Sequence, residues 1–244
     1  MIKYTNIRGY KMHYYENDKV IGKDFKNGNW WDLTKLQTIK KYRIKGKDLL
    51  DIGAFIGSTS ILMSEILKEE DAIVHSFEPT YFECLEKNIN QNNLSDKIKI
   101  YNVGLSNIEG YVSPPRDNFT DEGNYGGLAL VNNHLSPTKD VLIDKNEKNI
   151  EIKKLDSYNL KNIGFLKIDV EGMELEVLKG AKSTLIENNF PPILIEIWGE
   201  VCWRTKHPEY FKNNRISIFK FLEDLGYKST IPFKREGDYV FIKK

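Results

Sequence analysis

The chain has 244 residues and a formal net charge of +1, from 36 Lys and Arg against 35 Asp and Glu. That length suits one α/β domain or two small ones and is enough to bury a sizeable core. The even charge offers no electrostatic argument for a nucleic-acid or membrane partner. The opening stretch, MIKYTNIRGYKMHYYEND, has no apolar h-region, and no apolar run is long enough to span a bilayer. We therefore expect no signal peptide, no membrane partner and a cytoplasmic location. Cys84 and Cys202 belong to no CxxC pair and read as reduced thiols of a cytosol-like compartment.

Residues 1 to about 47 read as a β-hairpin and a helix, WWDLTKLQTIKKY, ahead of the core. DLLDIGA is a first buried strand, and STSILMSEILKEE is a helix with Ser58 or Thr59 as its N-cap. AIVHSFEP is a second strand. TYFECLEKNINQNN is a second helix, where Thr80 and Glu83 have capping-box spacing. KIKIYNVGL is a third strand. From about 110 to 150 the rhythm breaks, with Pro114, Pro115, Gly123, Gly126, Gly127 and Pro137, and a connection this long is either functional or disordered. NIGFLKIDVEG is a fourth strand, followed by the helical MELEVLKGAKSTLIENN. PPILIEIWGE is a fifth strand with its prolines at the start. NRISIFKFLEDLGY is a helix with Gly226 at its C-cap, and DYVFIKK is a last strand antiparallel to YKSTIP. Short apolar runs alternating with helices mean a mostly parallel sheet. With no internal repeat, residues 1–244 read as a single domain, with an extension at 1–47 and a core at 48–244 that carries an insertion at about 110–150.

In a doubly wound sheet, ligands sit beyond the carboxyl ends of the strands near the switch point. The turn after the first strand, in LLDIGAFIGSTS, has Asp51 followed by Gly53-x-x-x-Gly57. One glycine of the dinucleotide pattern G-x-G-x-x-G is missing. Gly53 and Gly57 alone fit an ordinary βα turn, but they also let the backbone approach a ligand. Glu78 ends the second strand, where a carboxylate can accept both hydroxyls of a ribose. A ribose site without a pyrophosphate site points to a nucleoside with a short polar tail. S-adenosylmethionine (SAM) is such a molecule, and Asp51 suits its cationic amino-acid end. A dinucleotide is the lesser alternative.

LLDIGAFIG, SFEP, NVGLS, KKLDSY, FLKIDVEGMELEVLKGA and PPILIEIWGE follow one another in the order seen in FkbM-type SAM-dependent methyltransferases. The chain resembles that family over about residues 48 to 200, most specifically in KIDVEGMELEVLKGA. The resemblance implies an α/β fold with a Rossmann-like, seven-stranded methyltransferase sheet, mostly parallel with a terminal antiparallel hairpin. It also implies SAM as cofactor and methylation of a hydroxyl on a sugar or natural product. On the same resemblance Asp51, Gly53, Ala54, Gly57 and Glu78 are cofactor residues, and Asn102 and Val103 lie near the adenine. Phe55 stands where the family often has Asn.

A neutral alcohol is a poor nucleophile, so a base or a metal must assist, and positioning supplies much of the rest. KIDVEG places Asp169 and Glu171 at the carboxyl end of the fourth strand, pointing to the same side. Asp169 is expected as the base, a metal ligand or the group that holds the cofactor's amine. Glu171 is expected to join it or to cap the following helix. Glu196 is a third catalytic candidate, or else a buried carboxylate paired with Lys167. These three carboxylates also form the candidate set for Mg²⁺ or Mn²⁺, with direct base catalysis preferred because few ligands can be placed. His207 reads as a solvated histidine. Trp198, Trp203 and Tyr210 either line the acceptor site or pack against the long connection, which we expect to form part of that site or a lid over it.

The acceptor is expected to be a small molecule or a glycan; homo-oligomerisation is left open. One alternative is an RNA ribose 2′-O-methyltransferase: Lys167, Asp169 and Glu196 match part of its Lys-Asp-Lys-Glu set, but a second lysine cannot be placed, and the neutral charge does not favour RNA. The other is a non-catalytic SAM-binding module.

Overall fold

The computed structural model describes residues 1–113, 141–142, 149–198, 208–233 and 237–243. Strands β1 (Ile2–Ile7) and β2 (Tyr10–Tyr15) form the opening antiparallel hairpin, with Arg8 and Gly9 both at positive φ as a two-residue hairpin turn requires. Helices α1 (Ile21–Lys26) and α2 (Leu33–Tyr42) follow; α1 is an addition to the single helix predicted here. The core then runs β3 (Asp48–Ile52), α3 (Ser58–Ile66), β4 (Val74–Phe77), α4 (Phe82–Gln91) and β5 (Ile98–Tyr101). Short strands β6 (Gly104–Leu105), β7 (Gly110–Val112), β8 (Val141–Leu142) and β9 (Ile150–Lys153) come next. The chain continues as β10 (Ile163–Ile168), α5 (Glu174–Gly180), α6 (Lys182–Glu187), β11 (Ile193–Ile197), α7 (Pro208–Asp224), β12 (Tyr227–Ser229) and β13 (Gly237–Lys243).

The main sheet has seven strands in the order β12-β13-β11-β10-β3-β4-β5. β11, β10, β3, β4 and β5 are mutually parallel, whereas β13 runs antiparallel to both β11 and β12. The expected terminal hairpin is therefore present. Parallel strands are buried on both faces, and successive residues feed opposite sides. Leu49 joins a cluster with Ile61, Leu85, Phe165 and Leu194, and Leu50 joins one on the other face with Leu166, Leu178, Ile195 and Leu222. Met12, Phe25 and Ile39 from the N-terminal extension are fully buried in the first of these clusters. Two asparagines of α4 hold the hairpin to the core. Asn88 accepts the His13 N–H at 2.6 Å and donates to the carbonyls of His13 and Ile56, and one turn later Asn92 accepts the Lys11 N–H at 2.8 Å.

Several local expectations need correction. The third strand stops at Tyr101, because β5 is an edge strand with only β4 beside it, and Gly104–Leu105 pairs instead with β9 in a separate sheet of order β6-β9-β7-β8. The 110–150 connection thus contributes three of that sheet's strands, while residues 114–140 and 143–148 lie outside the described residues. The helix after β10 is split at Ala181. Asp156, from a 3-10 turn (Leu155–Tyr158), accepts the N–H groups of Ser183 and Thr184 at 3.0 and 2.7 Å and so caps α6 from outside the helix. Gly57, not Ser58 or Thr59, holds the cap position of α3, and Tyr81 holds that of α4 without a side-chain cap. The Thr80–Glu83 capping box does not form, since Glu78 takes the Thr80 and Tyr81 amides.

Candidate functional site

β3 and β10 lie side by side, and the crossovers that leave them run to opposite sides of the sheet: β4 flanks β3 and β11 flanks β10. Their carboxyl ends therefore open the crevice typical of a topological switch point. Lys167 of β10 is the register partner of Asp51 of β3. Its ammonium lies 3.1 Å from Asp51 Oδ1 and donates to the Gly53 carbonyl at 2.7 Å. Two residues on, Asp169 points to the same side, with Oδ2 3.5 Å from Lys167 Nζ and 3.2 Å from Lys35 Nζ. Lys35 reaches in from α2 and also pairs with Asp32 at 3.1 Å and Asp238 at 3.8 Å. Asp238 is in turn the register partner of Glu196 on β11.

Charge is unevenly shared in this cluster. Burial would raise the Asp169 carboxyl, but the Lys167 and Lys35 ammoniums outweigh it and hold Asp169 below the usual carboxylate range. Burial, then the charge and hydrogen bond of Asp169, push Glu196 up to about 10. At neutral pH Glu196 therefore keeps its proton and shares it with Asp169. Burial would discharge Lys35 and Lys167, but the surrounding carboxylates raise both, so both stay charged. Asp169, Glu171 and Glu196 each bring a carboxylate oxygen within 4.8 Å of the others.

These groups line a cavity of about 150 Å³ together with Trp31, Ala54 and Phe55. Asp32, Phe55 and Glu171 on its wall are non-glycine residues with φ of 60°, 50° and 57°. Such left-handed backbone costs on the order of 1–3 kcal/mol per residue and collects at functional sites. Asn tolerates such backbone better than Phe, so Phe55 is strained at that turn. Gly53 is at φ +79°, and a Cβ there would stand 1.8 Å from the Asp169 carbonyl oxygen. Gly57 is at φ +87°, where a Cβ would meet Leu85 at 2.7 Å. Both glycines thus have packing reasons of their own, and Gly53 also lets β3 and the Asp169 turn close on each other.

The cavity's carboxyl-rich lining fits the cationic amino-acid end of SAM. Asp51 is fully buried behind that lining and accepts the Ser60 hydroxyl at 2.6 Å. Glu78 lies at the end of β4, where its carboxylate accepts the N–H groups of Phe55, Thr80 and Tyr81 at 2.9, 2.7 and 2.9 Å. Glu78→Ala is expected to destabilise the fold by at least about 1–3 kcal/mol, the cost of leaving a buried amide unsatisfied. A ribose role would add a separate loss of SAM affinity of about 1.5–3 kcal/mol. Denaturation and calorimetry read the two effects separately, and unchanged affinity in the folded variant removes Glu78 from the ribose. Asn102 is exposed beyond β5, and Val103 packs with Leu50, Ile52 and Phe77. Gly57, Glu78, Asn102 and Val103 do not line the cavity.

Lys167 does not pair with Glu196; its partners are Asp51, Gly53 and Asp169, because it lies beside β3 in the register. Nor does Glu171 hold the cap position of the next helix; Met173 does, without a side-chain cap. Glu174, the first residue of that helix, accepts the Gly172 N–H of the preceding turn at 2.9 Å. Burial pushes Glu174 up to about 7. Its folded value exceeds its unfolded one, so its contribution to stability is greatest at low pH and is lost as pH rises through about 7. Glu174→Gln is expected to be more stable than the wild type at about pH 8, by up to about 3 kcal/mol, and to lose that advantage near about pH 4.5. Denaturation at both pH values checks this; an equal difference at the two would refute it.

Trp198 and Tyr210 each pack against Phe211, with ring centroids 5.2 and 5.1 Å apart, and neither lines the cavity. Trp203, His207 and Cys202 lie outside the described residues. Cys84 is a buried free thiol in α4. Among the described residues no helix is long and apolar enough to cross a membrane. Sequence reasoning missed Lys35, Asp32, Trp31 and Asp238. Asp238 carried a signal: a strand antiparallel to β11 begins at the carboxyl end of the parallel strands, beside Glu196. Lys35, on a Lys-rich helix, carried none.

The sequence model described as "Methyltransferase FkbM domain" matches residues 51–229. Methyltransferase 1 of Beauveria bassiana is 23% identical over 145 residues, which are 54% of this chain and 57% of that protein. Methyltransferase sdnD of Sordaria araneosa is 26% identical over 211 residues, 75% of this chain and 74% of that one. The chain therefore spans little more than half the length of the first of these relatives. Among solved structures, the methyltransferase FkbM of Methylobacillus flagellatus KT is similar with TM-score 0.47 and 17% identity, over 80% of this chain and 43% of that one. The SAH-bound methyltransferase PaMTH1 of Podospora anserina gives TM-score 0.49 and 12% identity, over 86% and 76%. Because the family's sequence model runs from β3 through β12, well over half of the chain, the protein belongs to the FkbM family of SAM-dependent methyltransferases.

Proposed function

We propose that the protein transfers a methyl group from SAM to a hydroxyl of a sugar, glycan or related small molecule. The observation that carries this reading is the cluster of Asp169, Glu196, Lys35 and Lys167 at the carboxyl ends of β10 and β11. SAM, when bound, supplies an electrophilic methyl group. The carboxylates of the cavity hold its cationic end. Asp169, fixed by two ammoniums, would orient the acceptor hydroxyl and take its proton, while the methyl group exchanges its bond to sulfur for one to the acceptor oxygen and S-adenosylhomocysteine leaves. It is a weak base, but the acceptor becomes more acidic as its oxygen is alkylated, so the proton need move only late.

A metal fits this set less well. Asp169, Glu171 and Glu196 offer suitable oxygens, yet Asp169 is already paired with the Lys35 and Lys167 ammoniums, which leaves too few unpaired oxygens to complete the shell of six or more that Mg²⁺ or Mn²⁺ takes. Activity is expected to survive exhaustive dialysis against EDTA. Loss of activity that Mg²⁺ or Mn²⁺ restores would overturn the metal-free version.

A second reading has an observation in its favour. Lys35 supplies the second lysine of a Lys-Asp-Lys-Glu set with Asp169, Lys167 and Glu196. That keeps an RNA ribose hydroxyl within the same chemistry. Labelled-methyl transfer to nucleotide sugars, glycans and capped RNA, read by mass spectrometry, tests both. Methylated RNA with salt-sensitive binding selects the ribose reading. Tight SAM binding without transfer to any of them rejects catalysis in favour of a binding module.

A further inference from the structure

A trough of about 390 Å³ lies against α2, within the size range of small-molecule sites. Its floor is Leu194 of β11 and Val240 of β13, which are register partners. Each is two residues from a carboxyl group of the site, Glu196 or Asp238, and so shares their face of the sheet. Thr34, Gln37, Thr38 and Tyr42 of α2 form one wall, and Thr230 stands beyond β12. Lys35 and Asp238, an ion pair at 3.8 Å, line both this trough and the charged cavity. The two spaces therefore share a wall.

The origin of these residues matters. The span that matches the family is 51–229, and of the trough residues named above only Leu194 falls inside it. The charged cavity likewise draws on residues outside that span, Trp31, Asp32, Lys35 and Asp238, so α2 and the start of β13 join the two spaces.

We propose that the trough is the acceptor-selecting site and holds the non-reacting part of a neutral sugar ring, with the hydroxyl to be methylated directed past Lys35 toward Asp169 and Glu196. This rests on the O-methyltransferase reading above. Threonine hydroxyls and a glutamine amide both donate and accept, which matches ring hydroxyls that do the same. The Leu194–Val240 floor suits the C–H face of a ring. Lys35 is already neutralised by Asp32, Asp169 and Asp238, and among the described residues Lys41 is the one other ammonium on the lining, so the described lining lacks the paired cations that a phosphate would call for.

The test uses the full chain saturated with S-adenosylhomocysteine, whose binding is first measured by calorimetry. Methyl glucoside, methyl galactoside and methyl rhamnoside are the probes, followed by saturation-transfer NMR and by amide shifts of the protein. At least one probe is expected to bind, to shift the amides of Thr38, Tyr42 and Thr230, and to bind at least about tenfold more weakly to Thr38→Trp, which fills the trough from an accessible helix face. If that variant does not fold, the shift map of the wild type decides. A chain that binds S-adenosylhomocysteine but no glycoside, shifts that cluster away from the trough, or undiminished binding to a folded Thr38→Trp each overturn the trough alone. Failure to bind S-adenosylhomocysteine overturns the methyltransferase reading itself.

Discussion

Asp169→Asn is expected to lower turnover at least about 100-fold on any acceptor that the wild type methylates, the range for loss of a general base. The substitution keeps the shape and removes the charge. Lys167 retains Asp51 and the Gly53 carbonyl, and Lys35 retains Asp32 and Asp238, so the fold has partners for both ammoniums and should survive. Methyl transfer from labelled SAM, with circular dichroism on the same samples, measures both properties. The amide cannot take the acceptor's proton, and it no longer offers Glu196 a charged oxygen to share a proton with. Near-normal turnover in a folded Asp169→Asn protein would remove Asp169 from the chemistry and move the search to Glu196 or to segments outside the described residues.

Lys167→Met is expected to act on stability, with a loss of about 3–5 kcal/mol, as when one member of a buried ion pair is removed. Lys167 is 4% exposed and Asp51 is fully buried. Without the ammonium, Asp51 keeps only the Ser60 hydroxyl, and the Gly53 carbonyl loses its donor. Met fills much of the same volume, so the loss reports on charge and hydrogen bonding rather than on a cavity. Urea denaturation provides the number; a change below about 1 kcal/mol would place Lys167 in the class of exposed ion pairs. The double variant Asp51→Asn with Lys167→Met separates pairing from packing. It should recover part of the loss, because Asp51 then leaves no unpaired charge buried, while Asp169 keeps Lys35.

The succession of the main strands along the chain, the terminal hairpin and the turn after β3 are legible in the sequence. Those features arise from short-range causes: apolar runs of strand length, glycines where φ must be positive, and carboxylates at strand ends. Asp169 and Glu171 do bring oxygens within 4.8 Å of each other, but through a turn in which Glu171 is left-handed rather than along an extended segment. Which charges meet depends on the fold. Lys35 lies 134 residues from Asp169, on a helix whose sequence looks like any solvated lysine-rich face, and it is drawn inward because three carboxylates converge on it. Asp238 reaches the same place because β13 enters the sheet in reverse, beside β11. The helix break at Ala181 likewise follows from Asp156, a residue of a distant turn. Local propensity sees neighbours within a few residues. Ion pairs and caps of this kind depend on sheet order and register, which exist only once the chain has folded.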